Sequence, residues 1–98
     1  MPMFVAIRKY KSAGPAAEIE DAVRRELVPV LKQDPGFRGF YMIDGGDNTI
    51  VSVSVFETEA AARRSNDQAE EARSKFSHLL PNEPELVVGS ADIVETGH

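Results

Sequence analysis

Three side chains in the predicted strands of this sequence have the chemistry to hold an anionic oxygen. Arg8 interrupts a largely apolar strand, so its guanidinium can pair with an anionic ligand. Tyr10 and Tyr41 carry hydroxyls that can donate a hydrogen bond to such an oxygen. These residues could instead have only a structural role. Arg8 could extend to solvent, and Tyr10 and Tyr41 could belong to a core or an interface. We predict Arg8 and Tyr10 as substrate-binding residues and Tyr41 as a catalytic one.

Two further candidates for catalysis lie in or just after the second predicted helix. Asn66 stands out because the helix face around it is otherwise alanine and serine, although a surface amide or a helix-to-sheet hydrogen bond would also explain it. His78 is the one histidine inside the chain, since His98 is terminal, and a lone histidine is often structural or exposed. We predict a catalytic role for both Asn66 and His78.

Two serines share one face of the third predicted strand, and they have no histidine and acid at triad spacing. Ser52 and Ser54 therefore do not indicate a hydrolase. They fit either a polar pocket or a dimer interface, and we favour the interface. No metal site is predicted, because the chain lacks cysteine and because Asp44 and Asp47 flank two glycines as turn residues.

The bulk composition narrows the function class. The 98 residues fit one domain, 1–98, with 42% hydrophobic and 28% charged residues, as in ordinary globular proteins. The net charge of −5 with dispersed basic residues argues against nucleic-acid binding. The sequence shows no signal peptide, no apolar membrane-spanning stretch and no cysteine, which predicts a cytoplasmic protein that contacts no membrane.

Hydrophobic periodicity predicts six elements in the order strand, helix, strand, strand, helix, strand. The predicted strands cover residues 3–10, 37–44, 49–56 and 85–94, and the predicted helices cover 16–32 and 59–76. Pro29 should bend or restart the last turn of the first helix, and Thr58 should cap the second. This order predicts an α+β, ferredoxin-like βαββαβ fold. Its four-stranded antiparallel sheet has the first and third strands in the centre and both helices on one face.

Both faces of the predicted sheet are apolar. In the third strand Val51, Val53 and Val55 face one way, while Ile50 and Phe56 face the other together with the serines. Two helices cover only one side of such a sheet, and the other side would expose a patch larger than a monomer normally tolerates. We therefore predict a homodimer that buries the open face of each sheet against its partner.

Two motifs give the sequence a resemblance to a known family. The run PGFRGFY at residues 35–41 opens the second strand, and SVSVFET at residues 52–58 joins the third strand to an alanine-rich helix that carries Asn66. With these elements the chain resembles the antibiotic biosynthesis monooxygenase family over nearly its whole length. The resemblance implies a dimeric α+β barrel, with a pocket between the sheet and the helices of each protomer.

The resemblance also implies a chemistry. Characterised members of that family oxidise electron-rich aromatics or polyketide-derived phenols with molecular oxygen and with no metal or flavin, or else bind and degrade haem. Haem-degrading members typically carry an asparagine on the first strand, a tryptophan on the second helix and an axial histidine. This chain has no tryptophan and has Arg8 in that strand position, which disfavours haem, although His78 is present.

We therefore predict a monooxygenase that uses no cofactor and acts on a small aromatic or polyketide-like molecule. In that chemistry the substrate supplies the electrons, while the protein supplies a dry pocket, a hydrogen-bond acceptor and a donor that holds the resulting anion. The absence of a strong acid and base pair leaves open a non-catalytic dimeric binding or stress-associated module. An isomerase is a third possibility, because this fold hosts several chemistries.

Overall fold

A computed structural model describes residues 2–97 and arranges them as a four-stranded antiparallel sheet with helices packed on one face. The strands are β1 (Phe4–Lys11), β2 (Phe37–Gly46), β3 (Thr49–Phe56) and β4 (Glu85–Ser90). The helices are α1 (Ala16–Glu26), the short α2 (Val28–Leu31) and α3 (Glu59–Ser74). The strand order β2-β3-β1-β4 places β1 and β3 in the centre, which confirms the predicted ferredoxin-like arrangement.

The chain between β1 and β2 forms two helices because Pro29 interrupts it. Proline has no backbone N–H to donate, so α1 ends at Glu26 and helical structure restarts two residues later. Leu27, which lies between the helices, accepts from the backbone N–H groups of Val30 and Leu31 at 3.0 and 3.1 Å. The predicted restart of the first helix is therefore confirmed.

Helix α3 lies close to the sheet because its buried face consists of small side chains. Thr58 caps the helix as predicted, its hydroxyl accepting from the backbone N–H of Ala61 at 3.1 Å. The buried positions along the helix are Ala61, Ala62, Ser65, Ala69 and Ala72. Because none of these side chains is large, a long side chain from the sheet can reach the helix.

The last strand ends four residues earlier than predicted. Ser90 pairs with Phe4, the first residue of β1, and the backbone N–H of Ala91 donates to the carbonyl of Met3 at 2.8 Å. Beyond that bond β1 offers no further partner, so residues 91–97 form no strand despite their apolar pattern.

The sheet face opposite the helices is apolar across its full width. Tyr41, Val53, Ile7 and Val87 lie opposite one another in the register of the four strands and form one row across this face. Tyr41 is 62% exposed and Val87 is 63% exposed. We call this surface the open face, and its apolar character agrees with the sequence prediction.

Candidate functional site

The centre of the candidate site is Arg8, whose guanidinium is buried between α3 and the sheet. Only 1% of the residue is exposed. Its Nε donates to Ser52 Oγ at 2.9 Å, and one terminal nitrogen donates to Ser65 Oγ at 3.2 Å and to Asn66 Oδ1 at 2.9 Å. The other terminal nitrogen donates to Ser54 Oγ. Four neutral oxygens therefore surround a full positive charge, and we call these five residues the Arg8 cluster.

Strand register and helix composition explain how the Arg8 cluster forms. Arg8 lies directly opposite Ser52, and Ala6, two residues earlier on the same face, lies opposite Ser54. Ser65 belongs to the small buried face of α3 and donates its own proton to the carbonyl of Ala62 at 2.6 Å. Its lone pairs are therefore available to Arg8. The sequence singled out Asn66, and its predicted alternative, a helix-to-sheet hydrogen bond, is present.

The Arg8 cluster contains no counter-charge from the protein. No Asp or Glu carboxylate among residues 2–97 lies within 4.0 Å of the guanidinium. Burial lowers the pKa of Arg8, and the neighbouring Tyr10 partly opposes this effect. Arginine nevertheless stays protonated in proteins, so the charge persists at a desolvation cost. The cluster therefore has unused capacity to stabilise negative charge.

The two serines of β3 belong to this cluster, and the prediction that they lie at a dimer interface is wrong. Ser52 is 2% exposed and Ser54 is fully buried, and both face α3. The sequence showed that the serines share a face, but it did not show which face the helices cover. Both hydroxyls accept from Arg8 and donate to no acceptor among residues 2–97. Ser52 also lines a small cavity, so its O–H group can donate to an oxygen placed there.

Tyr10 lies on the same sheet face as Arg8 and stays protonated at neutral pH. Burial raises the pKa of its hydroxyl, an effect that the nearby Arg8 opposes and that Glu70 reinforces. Together with Asn66, Tyr10 lines a cleft of about 230 Å³ between α3 and the segment that leads into β4. The tyrosine is therefore a hydrogen-bond donor beside the cluster rather than a base.

Tyr10 should ionise above the ordinary tyrosine pKa of about 10 while the protein is folded. The chain has two tyrosines and no tryptophan, so the ultraviolet titration of a Tyr41→Phe variant reports Tyr10 alone. Because folding raises the pKa of Tyr10, the protonated hydroxyl contributes to the stability of the folded state. This contribution is complete below the pKa of Tyr10 in the unfolded chain and is lost as pH rises through its pKa in the folded chain. The urea concentration at the unfolding midpoint should therefore decrease as pH rises through that alkaline range. The decrease should be smaller in the Tyr10→Phe variant. If Tyr10 in the folded chain ionised at the ordinary tyrosine pKa of about 10, the expected upward shift would be wrong.

Two predicted site residues do not join the Arg8 cluster. Tyr41 pairs with Val53 on the open face, because strand alternation points it away from the helices. His78 follows the end of α3 and is exposed. Tyr41 and His78 therefore lie apart from Arg8, whereas Tyr10 and Asn66 lie beside it.

A cleft lies between the first two helices and the edge strand β2. We call it the main cleft, and its volume is about 590 Å³, within the range of small-molecule sites. Its lining residues are Glu20, Val23, Arg24, Val28, Lys32, Phe37, Phe40 and Met42. The resemblance implied a pocket between the sheet and the helices, but none of these lining residues was predicted as a site residue. The available signals were the proline that breaks the first helix and the aromatic side chains on the inner face of β2.

The main cleft lies next to the Arg8 cluster across one strand spacing. Phe40 and Met42 on its floor pair with Ser54 and Ser52 respectively, and adjacent strands are about 4.8 Å apart. Behind Met42 is a second cavity of about 10 Å³, which Ser52 also lines. Met42 and Val23 line both cavities, and Met42 is the one of the two that pairs with Ser52 across the strands.

Two kinds of feature are absent from the part of the chain that the structure describes. Among residues 2–97, no group of three or more His, Cys, Asp or Glu side chains is placed to hold a metal ion. Over the same range, no helix has the length and apolar character needed to cross a bilayer.

The fold is that of a ferredoxin-like α+β protein, with a cleft between its sheet and its helices. The model of the antibiotic biosynthesis monooxygenase family matches residues 2–79. This chain belongs to that family, as its sequence motifs indicated. Among curated proteins, none matches the chain significantly.

Several solved structures share the fold. A monooxygenase from the gene ActVA-Orf6 of Streptomyces coelicolor, solved in complex with nanaomycin D, has a TM-score of 0.76 at 21% identity and covers 99% of this chain and 94% of its own. SnoaB, a cofactor-independent oxygenase from Streptomyces nogalater, has a TM-score of 0.63 at 18% identity, with 98% and 97% coverage. The protein NE2512 of Nitrosomonas europaea, of unknown function, has a TM-score of 0.77 at 16% identity, with 100% and 97% coverage. At these identities the likeness shows the fold.

Proposed function

We propose that this protein is a cofactor-independent oxygenase that binds a small aromatic or polyketide-like molecule as its phenolate or enolate. The observation that carries the proposal is Arg8, a buried guanidinium with no carboxylate partner among residues 2–97. In a site of low dielectric, such a charge stabilises an anionic oxygen far more than it would in water. Family membership supports oxygenase chemistry, and the similarity to SnoaB supports its cofactor-free form.

Each part of the site has a role in this proposal. The main cleft holds the aromatic body against Phe40 and Met42, and the flexible side chain of Met42 moves aside to let the ligand oxygen reach Ser52. Arg8 stabilises the anion directly and through the serine hydroxyls that it polarises. Asn66 orients the guanidinium from α3.

The proposed reaction balances without an external reductant. The bound substrate loses a proton to solvent water, and the resulting anion transfers electrons to molecular oxygen and forms a carbon–oxygen bond with it. The peroxide takes a proton back from water and becomes a hydroperoxide. Loss of water then leaves a carbonyl at that carbon. With anthrone as the substrate, the ring CH₂ becomes C=O, so one oxygen atom enters the product and the other leaves as water. The substrate supplies all the electrons, and the protein stabilises the anion from which they come.

Anthrone tests this proposal because it forms an electron-rich anion and its product is easily measured. We expect the protein to accelerate oxygen uptake above the rate of the heat-denatured control, with one mole of oxygen consumed per mole of anthrone. Mass spectrometry with isotopically labelled oxygen should find one labelled atom in the anthraquinone. Anthrone that binds tightly and is recovered unchanged would instead support the non-catalytic binding function. If the protein neither bound anthrone nor accelerated oxygen uptake, the result would count against both functions.

We also propose that two copies of the chain pair through their open faces. The row of Tyr41, Val53, Ile7 and Val87 carries no charge, and a two-fold axis would place each such row against its equivalent. Burying this surface removes apolar area from water at about 25 cal/mol per Å². The Arg8 cluster lies on the other side of the sheet, so such a dimer leaves the main cleft accessible.

A further inference from the structure

The mouth of the main cleft is more basic than the rest of this acidic protein. Arg24 and Lys32 contribute two positive charges to its lining, and Glu20 contributes one negative charge. The whole chain has a net charge of −5, so this local excess is opposite in sign to the protein as a whole. The charged side chains surround an otherwise apolar cleft, whose floor consists of Phe37, Phe40 and Met42 among others.

The two cations at the mouth are available to a ligand. Lys32 lies within 4.0 Å of no Asp or Glu carboxylate in residues 2–97. Arg24 approaches Asp21 at 3.5 Å, but both side chains are more than 70% exposed, and such surface pairs contribute little. Glu20 and Arg24 lie one turn apart on α1 without forming an ion pair. A bound anion would therefore meet little competition from protein carboxylates.

We infer that the main cleft selects aromatic ligands that carry a second acidic group, such as a carboxylate, at the end opposite their ionisable hydroxyl. The hydroxyl points inward to Ser52 and Arg8, the flat apolar body lies on Phe40 and Met42, and the carboxylate remains at the mouth near Arg24 and Lys32. This assignment of substrate class rests on the proposed function, since it uses the same cleft and the same inner anion site.

A matched pair of ligands tests the role of the mouth. The compound 6-hydroxy-2-naphthoic acid carries a hydroxyl and a carboxylate at opposite ends of a naphthalene, and its methyl ester lacks only the charge. We expect the acid to bind the wild type about tenfold more tightly than the ester at low salt, as two partly exposed ion pairs would produce. The preference should shrink as ionic strength rises, because these pairs are screened.

Variants at the mouth decide whether Arg24 and Lys32 cause the preference. The double variant Arg24→Gln, Lys32→Gln should bind acid and ester about equally. Arg63→Gln is the control, because Arg63 is exposed on α3, bonds to Glu59 at 2.8 Å and lies outside the cleft. It should retain the preference. Equal binding of acid and ester by the wild type, a preference that survives in the double variant, or failure of both ligands to bind would overturn the inference.

The binding measurement separates this inference from the oxygenase proposal, since titration of ligand fluorescence requires no turnover and can be performed without oxygen. A preference for the acid together with no oxygen uptake from anthrone would leave the inference standing and contradict the oxygenase. Oxygen uptake together with equal affinity for acid and ester would leave the oxygenase proposal standing and contradict the inference about the mouth.

Discussion

Replacing Arg8 with methionine should lower the rate of oxygen uptake with anthrone by about 100-fold or more, which is the usual effect of removing one preorganised anion-stabilising donor. Methionine occupies a similar length of buried space but has neither charge nor N–H donors. Arg8→Lys should have an intermediate effect, because an ammonium keeps the charge but cannot reproduce the fork that reaches Ser52, Ser54, Ser65 and Asn66 together.

The pH profile distinguishes a role in anion binding from a purely structural one. A buried cation favours the ionised form of the ligand, so the wild type should bind the phenolate of 6-hydroxy-2-naphthoic acid at a lower pH than free solution requires. In Arg8→Met the ionisation of the bound ligand, followed by its fluorescence, should move to higher pH. Arg63→Met makes the same substitution at an exposed position of α3 and should change neither the rate nor the profile.

Stability measurements complete the test of Arg8. Removing a buried ion that has no counter-charge stabilises the folded state, whereas the oxygens of the cluster lose their hydrogen-bond donor, which destabilises it. Because these two effects oppose each other, we expect Arg8→Met to remain folded in the absence of urea. A folded Arg8→Met or Arg8→Lys variant with wild-type turnover and an unmoved pH profile would contradict the proposed site.

Replacing Val53 with aspartate should convert the proposed dimer to a monomer. Val53 lies on a central strand in the middle of the open face, between Ile7 on β1 and Tyr41 on β2. A dimer would have to bury two unpaired carboxylates there. Burying each of them would weaken the association of the two copies by several kcal/mol. Light scattering at micromolar concentration should therefore give twice the chain mass for the wild type and the chain mass itself for Val53→Asp.

A matched variant controls for the added charge. Ala60 is exposed in the first turn of α3, where an acid is tolerated and complements the helix end, so Ala60→Asp should remain dimeric. Because Val53 points away from the Arg8 cluster, the fold of the monomer should persist by circular dichroism. A wild type of monomeric mass, or a Val53→Asp variant of dimeric mass, would show that the open face is not the interface.

Residue patterning determined the order of the elements, the central position of β1 and β3, and the residues that share each face. Period-two alternation alone grouped Ser52 and Ser54 with Ile50 and Phe56, and this grouping is correct. Alternation also made Val53 and its neighbours a continuous apolar face. The restart at Pro29 and the cap at Thr58 followed from backbone chemistry that acts within a few residues.

The tertiary structure decided which face of the sheet became the site. Alternation places Ser52 and Ser54 on a common face, but packing between residues distant in sequence determines whether helices cover that face. Arg8 meets Ser65 and Asn66 across separations of 57 and 58 residues, which no local pattern encodes. The main cleft likewise brings together residues of the first two helices and of the edge strand β2, which are distant in sequence. For this reason the sequence identified Arg8 and Asn66 as candidates, and only the packing of α3 onto the sheet made them one cluster.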